Sequence, residues 1–166
     1  MINRDIFITT NAEQTRKLGE ILAEELRGGE IICLTGELGS GKTTFAQGVL
    51  AGLGAKGPHT SPTFVVMKEY KVKIQKFFKV RPFPSSSGAV GIPQGQTFNI
   101  YHVDAYRVGP KDILNLGWEE IIFGKNNIVI LEWAERIKNI VPENAIWIKF
   151  RHKGENEREI SLCIDN

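Results

Sequence analysis

The chain has 166 residues, 42% of them hydrophobic and 24% charged, and a formal net charge of +2. That length suits one domain with a real core, burying roughly 70% of the surface its unfolded chain exposes. The composition excludes a disordered chain and one built of membrane spans, and so small a charge does not by itself imply nucleic acid.

Ile6-Phe7-Ile8 reads as a short strand. Asn11 is a good N-cap, and the helix it opens runs to about Arg27, with Thr15, Leu18, Ile21, Leu22, Glu25 and Leu26 near helical spacing. Gly28-Gly29 stops it. Ile31-Ile32-Cys33-Leu34 is an apolar run suited to a buried strand over about 31–35, and Thr44 to Leu53 suits a helix ending near Gly52-Leu53-Gly54. Residues 55 to 63 do not suit regular structure, whereas Phe64 to Tyr70 reads as a strand. Lys71 to Arg81 alternates, with Val72, Ile74, Phe78 and Val80 on one face and Lys71, Lys73, Lys79 and Arg81 on the other. A half-exposed strand fits. Pro82 to Gln96 is rich in Pro, Gly and Ser and reads as a mobile loop. Phe98 to Val103 is a strand ending at Asp104, Lys111 to Phe123 is helical in part, and Asn127 to Leu131 is a buried strand ending at Glu132. Ala145 to Phe150 and Glu159 to Ile164 are strands around a polar turn at 152–156.

Between the second strand and the second helix stands Gly36-Glu37-Leu38-Gly39-Ser40-Gly41-Lys42-Thr43, a complete G-x-x-x-x-G-K-[ST] phosphate loop. A chain with this motif in a strand–loop–helix setting binds a nucleoside triphosphate. Gly36, Gly39 and Gly41 let the backbone curl so that successive N–H groups point at phosphate oxygens. Lys42 brings a point charge to the β- and γ-phosphates, and the Thr43 hydroxyl is the expected Mg²⁺ ligand. The following helix, from Thr44 onward, turns its positive N-terminal end toward the same anion. Gly36 through Thr44, including Glu37, Leu38 and Ser40, are therefore the expected nucleotide-binding residues.

Two acids follow apolar strands, Asp104 and Glu132, where ligands of open α/β sheets sit. Either holds Mg²⁺ directly or through water, and the letters do not say which binds metal and which orients water. Thr60-Ser61-Pro62-Thr63-Phe64 fits either a loop that senses the γ-phosphate or a Pro-set turn. Trp133 stacks beside the site or closes the core, Trp118 suits the core, and Glu135 and Arg136 suit a solvated ion pair as well as a site. His102 and Asp104 share a strand face, which allows an orienting contact, but the three histidines lack metal spacing. Cys33 and Cys163 read as small buried hydrophobes. Met1-Ile2-Asn3-Arg4-Asp5 has no apolar leader character, so the cytoplasm is the expected compartment.

Charge is unevenly placed. Lys68, Lys71, Lys73, Lys76, Lys79 and Arg81 stand against the single acid Glu69, a local +5 that leaves −3 for the rest of the chain. The segment suits either an anionic partner or a solvated strand face.

Taken together, Gly36 to Phe45, Ser61-Pro62-Thr63-Phe64, His102-x-Asp104-x-Tyr106-Arg107 and Glu132-Trp133-x-Glu135 stand in the order of one family. The chain closely resembles the TsaE ATPases of bacterial tRNA threonylcarbamoyladenosine biosynthesis, over nearly its whole length. The resemblance implies a single α/β domain over 1–166. Its fold would be a three-layer, P-loop NTPase-like sandwich with a central, mostly parallel sheet and antiparallel edge strands. It also implies ATP as substrate, Mg²⁺ as cofactor, weak hydrolysis alone, and work with a TsaB–TsaD pair on adenosine 37 of tRNAs reading codons that begin with A. Carried over by motif, Lys42 holds phosphates, Thr43 and Glu132 bind Mg²⁺, and Asp104 assists metal or water. Thr63 belongs to a switch-like loop and Trp133 lies near the nucleotide. By position, Asn11 and Arg158 border the adenine or partner side. An insertion at about 71–97 departs from the family's short hairpin, and its basic face is expected to meet tRNA or an acidic partner.

Two other readings fit the phosphate loop: a small-molecule kinase, and a nucleotide-binding module that does not hydrolyse. No Asn/Thr-Lys-x-Asp guanine signature is present, which favours ATP over GTP.

Overall fold

The fold was taken from a computed structural model that describes residues 3–73 and 95–164. In chain order it contains β1 (Asn3–Thr9), α1 (Ala12–Ala23), β2 (Ile31–Gly36), α2 (Lys42–Gly52), β3 (Met67–Lys73) and β4 (Thr97–Asp104). There follow α3 (Pro110–Leu114), α4 (Trp118–Phe123), β5 (Asn127–Glu132), a 3-10 segment (Ala134–Ile140), β6 (Ile146–His152) and β7 (Arg158–Ile164). The strands form one seven-stranded sheet in the order β1-β7-β6-β2-β5-β4-β3. The central four, β6-β2-β5-β4, are parallel, and β1, β7 and β3 add antiparallel edges.

Helices cover both faces, so β2 and β5 are apolar at nearly every position. The two-residue period of a strand then sorts side chains by parity. Ile32, Leu34, Phe98, Ile100, Ile128 and Ile130 pack beneath Phe45, Ala46, Val49 and Leu50 of α2. Ile31, Cys33, Val103, Val129 and Leu131 face Ile113, Trp118, Ile121 and Ile137 on the other side. Even-numbered residues of β4 and β5 thus look toward α2. His102, Asp104 and Glu132 are all even.

α1 and α2 lie unusually close. A Cβ at Gly48 would stand 2.0 Å from the Arg16 carbonyl oxygen, so no larger residue fits there. This contact pins α2, and with it the loop that α2 extends.

Several boundaries differ from the sequence reading. α1 ends at Ala23, short of Arg27, because the Glu30 carboxylate takes the N–H groups of Arg27 and Gly28 at 2.7 and 2.8 Å and draws the chain into a turn. Phe64 to Val66 is not strand. The N–H groups of Val65 and Val66 donate to the Pro62 carbonyl, which closes a turn and leaves Phe64 86% exposed. The stretch 111–123, expected to be helical in part, holds two short helices, divided at Gly117 by its left-handed backbone, φ +79°. Trp118 is buried and donates its indole N–H to the Ile140 carbonyl, a core role. Cys33 is buried, and burial pushes its thiol up to about 12.

The expected strand beyond Lys73, most of the Pro82–Gln96 loop, the basic residues Lys76, Lys79 and Arg81, and the Cys163 side chain lie outside the described residues. Lys71 and Lys73 are exposed on β3, whereas Lys68 is tied to the carbonyl and hydroxyl of Thr60. Among the described residues no helix is long and apolar enough to cross a membrane.

Candidate nucleotide site

The phosphate loop leaves β2 at Gly36 and enters α2 at Lys42, with β5 on one side of β2 and β6 on the other. Its shape depends on glycine. Gly36 has φ +135°, and a Cβ there would meet the Phe150 carbonyl oxygen at 2.3 Å; Gly41, before α2, has φ +103°. The turn between β6 and β7 props the loop from outside. His152 Nε2 lies 3.2 Å from the Leu38 carbonyl, and the Arg158 guanidinium donates to the Gly39 carbonyl at 3.3 Å.

Lys42 is only 4% exposed, and its ammonium donates to the carbonyls of Gly36 and Glu37, both at 2.7 Å, and more loosely to the Ser40 hydroxyl. It lies 3.8 Å from the centre of the Trp133 ring. Burial holds its pKa below the ordinary lysine value, opposed by the negative charges of Glu132, Glu135 and Asp104. A phosphate entering the loop would exchange with the loop's own carbonyls for these N–H donors.

The Thr43 hydroxyl, at the start of α2, donates to Glu132 Oε2 at 2.6 Å. The other carboxylate oxygen, Oε1, meets His102 Nε2 at 2.7 Å. Asp104 stands directly beside Glu132 in the β4–β5 register. It accepts from the Tyr106 N–H at 2.8 Å and from the Thr63 hydroxyl at 2.5 Å, with Ser61 on Thr63 at 2.6 Å. Trp133 takes a left-handed backbone, φ 59°, immediately after Glu132, and lies against Tyr106 with the rings tilted at 42° and their centres 4.8 Å apart.

These groups enclose a cleft of about 400 Å³ lined by Leu38 to Thr44, Thr63, Asp104, Tyr106, Arg107, Glu132 and Trp133. Asn11 and Arg158 do not line this cleft. The Asn11 side chain accepts from the Gln14 N–H at 2.9 Å and caps α1, and Arg158 is spent on the loop backbone and its own turn. Gly36 and Glu37 stand behind the cleft, holding Lys42. Glu135 and Arg136 are exposed, and Arg136 leans over Tyr106 at 6.0 Å.

The donor set fits magnesium. Thr43 and Glu132 supply hard oxygen atoms within hydrogen-bond distance of each other. Among the described residues no group of three or more His, Cys, Asp or Glu could hold a metal by itself. Mg²⁺ ordinarily takes only one or two protein oxygens and completes its shell with water and substrate phosphates.

The sequence model of the family described as "Threonylcarbamoyl adenosine biosynthesis protein TsaE" matches residues 9–83 and 86–160. The chain belongs to the TsaE family. It is 31% identical over 163 residues to the tRNA threonylcarbamoyladenosine biosynthesis protein TsaE of Rickettsia felis, covering 97% of this chain and 81% of that one. The TsaE of Bacillus subtilis is 31% identical over 154 residues, covering 93% and 82%, and that of a Nostoc species 34% over 156 residues, covering 90% and 80%. The crystal structure of Bacillus subtilis YdiB superposes with a TM-score of 0.72 at 27% identity, covering all of this chain and 88% of that one. The α/β sheet with its parallel centre is thus a TsaE fold, and the chain is a TsaE protein of tRNA threonylcarbamoyladenosine biosynthesis.

Tyr106 and Arg107 entered the sequence reading only as members of a family motif, and for His102 strand parity allowed an orienting contact, which the structure makes with Glu132 rather than Asp104. The first two line the cleft, and His102 lies behind it. The signal for His102 was strand parity: it shares the α2-facing side of β4 with Asp104.

Proposed function

We propose that this TsaE chain is a Mg²⁺-dependent ATPase of the cytoplasm that supports threonylcarbamoyl transfer to adenosine 37, with a TsaB–TsaD pair as its partner. The observation that carries the reading is the Thr43–Glu132 hydrogen bond at 2.6 Å, which joins the end of the phosphate loop to an acid on the neighbouring strand tip. In this reading Lys42 and the loop N–H groups bind the β- and γ-phosphates, and Thr43 and Glu132 would hold the ion. Magnesium bound there supplies positive charge to phosphate oxygens during transfer. Asp104, carried on the next strand tip and linked to Thr63, would orient the attacking water. Trp133 and Tyr106 wall one side of the cleft and keep bulk water from Lys42.

Hydrolysis by the isolated chain is slow in this reading, because among the described residues no Arg is hydrogen-bonded into the loop's phosphate-facing side. Arg107 instead sits 5.1 Å from the exposed Phe64 ring. The test is phosphate release by wild type and Glu132→Ala, each with and without TsaB–TsaD and tRNA. Slow release that the partner pair raises, and that Glu132→Ala abolishes, is the expected result. Fast release alone counts against it. Tight ATP binding with no release in the full assembly supports a non-hydrolysing module, and transfer to a small hydroxyl compound supports a kinase. The basic face that begins at Lys71 and Lys73 is proposed to meet tRNA or an acidic partner. Deleting 76–96 should then weaken assembly or flatten its salt dependence.

A further inference from the structure

We propose that His102 is a positioning residue, whose imidazole aims the Glu132 carboxylate at Thr43 and at a divalent ion bound beside it. The inference rests on the reading of Glu132 as a magnesium-side acid, and goes beyond it by naming what keeps that acid in place.

His102 is fully buried in β4, 0% exposed, in a sheet whose neighbouring inward positions are Ile100, Ile128 and Ile130. A polar ring in such a row is costly unless its nitrogens are bonded. Nε2 has one partner, Glu132 Oε1 at 2.7 Å, and Nδ1 has none among the described residues. An ionised carboxylate only accepts, so Nε2 carries the hydrogen and donates. The whole polar investment of this side chain is therefore made in one carboxylate oxygen.

The geometry gives that contact a purpose. Glutamate has three rotatable bonds and loses much rotamer freedom when its head is fixed. Here one oxygen is held by His102 and the other is left toward Thr43, so the carboxylate plane is set from behind by the sheet. His102 reaches Glu132 because both are even-numbered and face α2. In the register His102 is paired with Ile130, two residues before Glu132. Groups that orient a metal-holding side chain from behind commonly change metal affinity 10–100-fold when removed.

The test uses the full chain and a non-hydrolysable ATP analogue, with affinity measured across a Mg²⁺ titration and again in EDTA. His102→Met fills the volume with no donor; His102→Gln places an amide N–H near the position of Nε2. His102→Met should raise the Mg²⁺ concentration for half-maximal gain in affinity about 10-fold or more, with affinity in EDTA within about twofold of wild type. His102→Gln should restore most of the difference, which a packing role would not require. Should His102→Met fail to fold, His102→Asn takes its place, since its amide stops short of Glu132. A wild-type Mg²⁺ requirement in His102→Met, or equal impairment in His102→Gln, overturns the proposal. Glu132→Gln in parallel separates the two readings. If it leaves the Mg²⁺ requirement unchanged, the magnesium assignment falls and His102 with it. If it raises the requirement and His102→Met does not, only the role of His102 falls.

Discussion

Asp104 and Glu132 are paired residues on adjacent strand tips, yet the molecule holds them in different ways. Glu132 is bonded by His102 of β4 and Thr43 of α2, both on elements locked into the core, and is 1% exposed. Asp104 is bonded by the Tyr106 N–H and the Thr63 hydroxyl, both on connecting segments. The segment carrying Thr63 also carries the exposed Phe64 and, at Val66, a left-handed backbone of φ 66° that a β-branched residue adopts only under strain. One acid is preset by packing. The other answers to a loop, so a change in that loop would reach the cleft through Asp104 while leaving Glu132 where it is.

Five substitutions test how far the fixed side and the loop side are independent. Glu132→Gln should lower phosphate release about 100- to 1,000-fold, the range for losing one well-placed electrostatic group, as read by steady-state release with TsaB–TsaD present. Gly48→Ala attacks the fixed side through its scaffold. With a Cβ 2.0 Å from the Arg16 carbonyl, it should cost about 3 kcal/mol in urea unfolding, and a near-neutral result would show that α1 and α2 separate easily. Thr63→Val, on the loop side, should slow partner-stimulated release about tenfold. The nucleotide Kd should stay close to wild type, because Thr63 bonds Asp104 and not the phosphate loop.

Smaller effects are expected in stability. Lys42→Met should abolish nucleotide binding and change how the stability of the nucleotide-free chain depends on pH. The sign follows from its lowered pKa. Between the folded value and 10.5 the unfolded chain binds more protons, so wild-type stability rises with pH across that window. Calorimetry at increasing pH should show wild type gaining on Lys42→Met, and parallel curves would refute the assignment. Least of all, Val66→Gly trades relief of the left-handed strain against added unfolded-chain entropy, and should change stability by no more than about 1 kcal/mol. A larger loss would mean that the Val66 side chain anchors the loop.

How legible all this was differs from element to element. β2, β5 and the phosphate loop were readable because their signals are local: an apolar run of strand length, and glycines where the backbone must turn left-handed. The Phe64–Val66 stretch misled because apolar letters suit a strand only where a neighbour offers hydrogen bonds, and here the Pro62 carbonyl takes them. The 3-10 segment after Trp133 carries only a few turns' worth of pattern, and Ala134 and Ile137 reveal their burial only against α3 and α4.

From the letters alone came the phosphate-loop motif, the two strand-tip acids, the α/β class and the family resemblance, since each rests on residues close together in the chain or on strand parity. Which acid stands against Thr43, which is tied to a loop, and that His102 bonds Glu132 were settled by the tertiary structure. Those contacts join residues 30 to 89 positions apart. The pairing of β2, β4 and β5, the packing of α2 and the turn that leads into β3 beside β4 bring them within 3 Å, and no local preference encodes that arrangement.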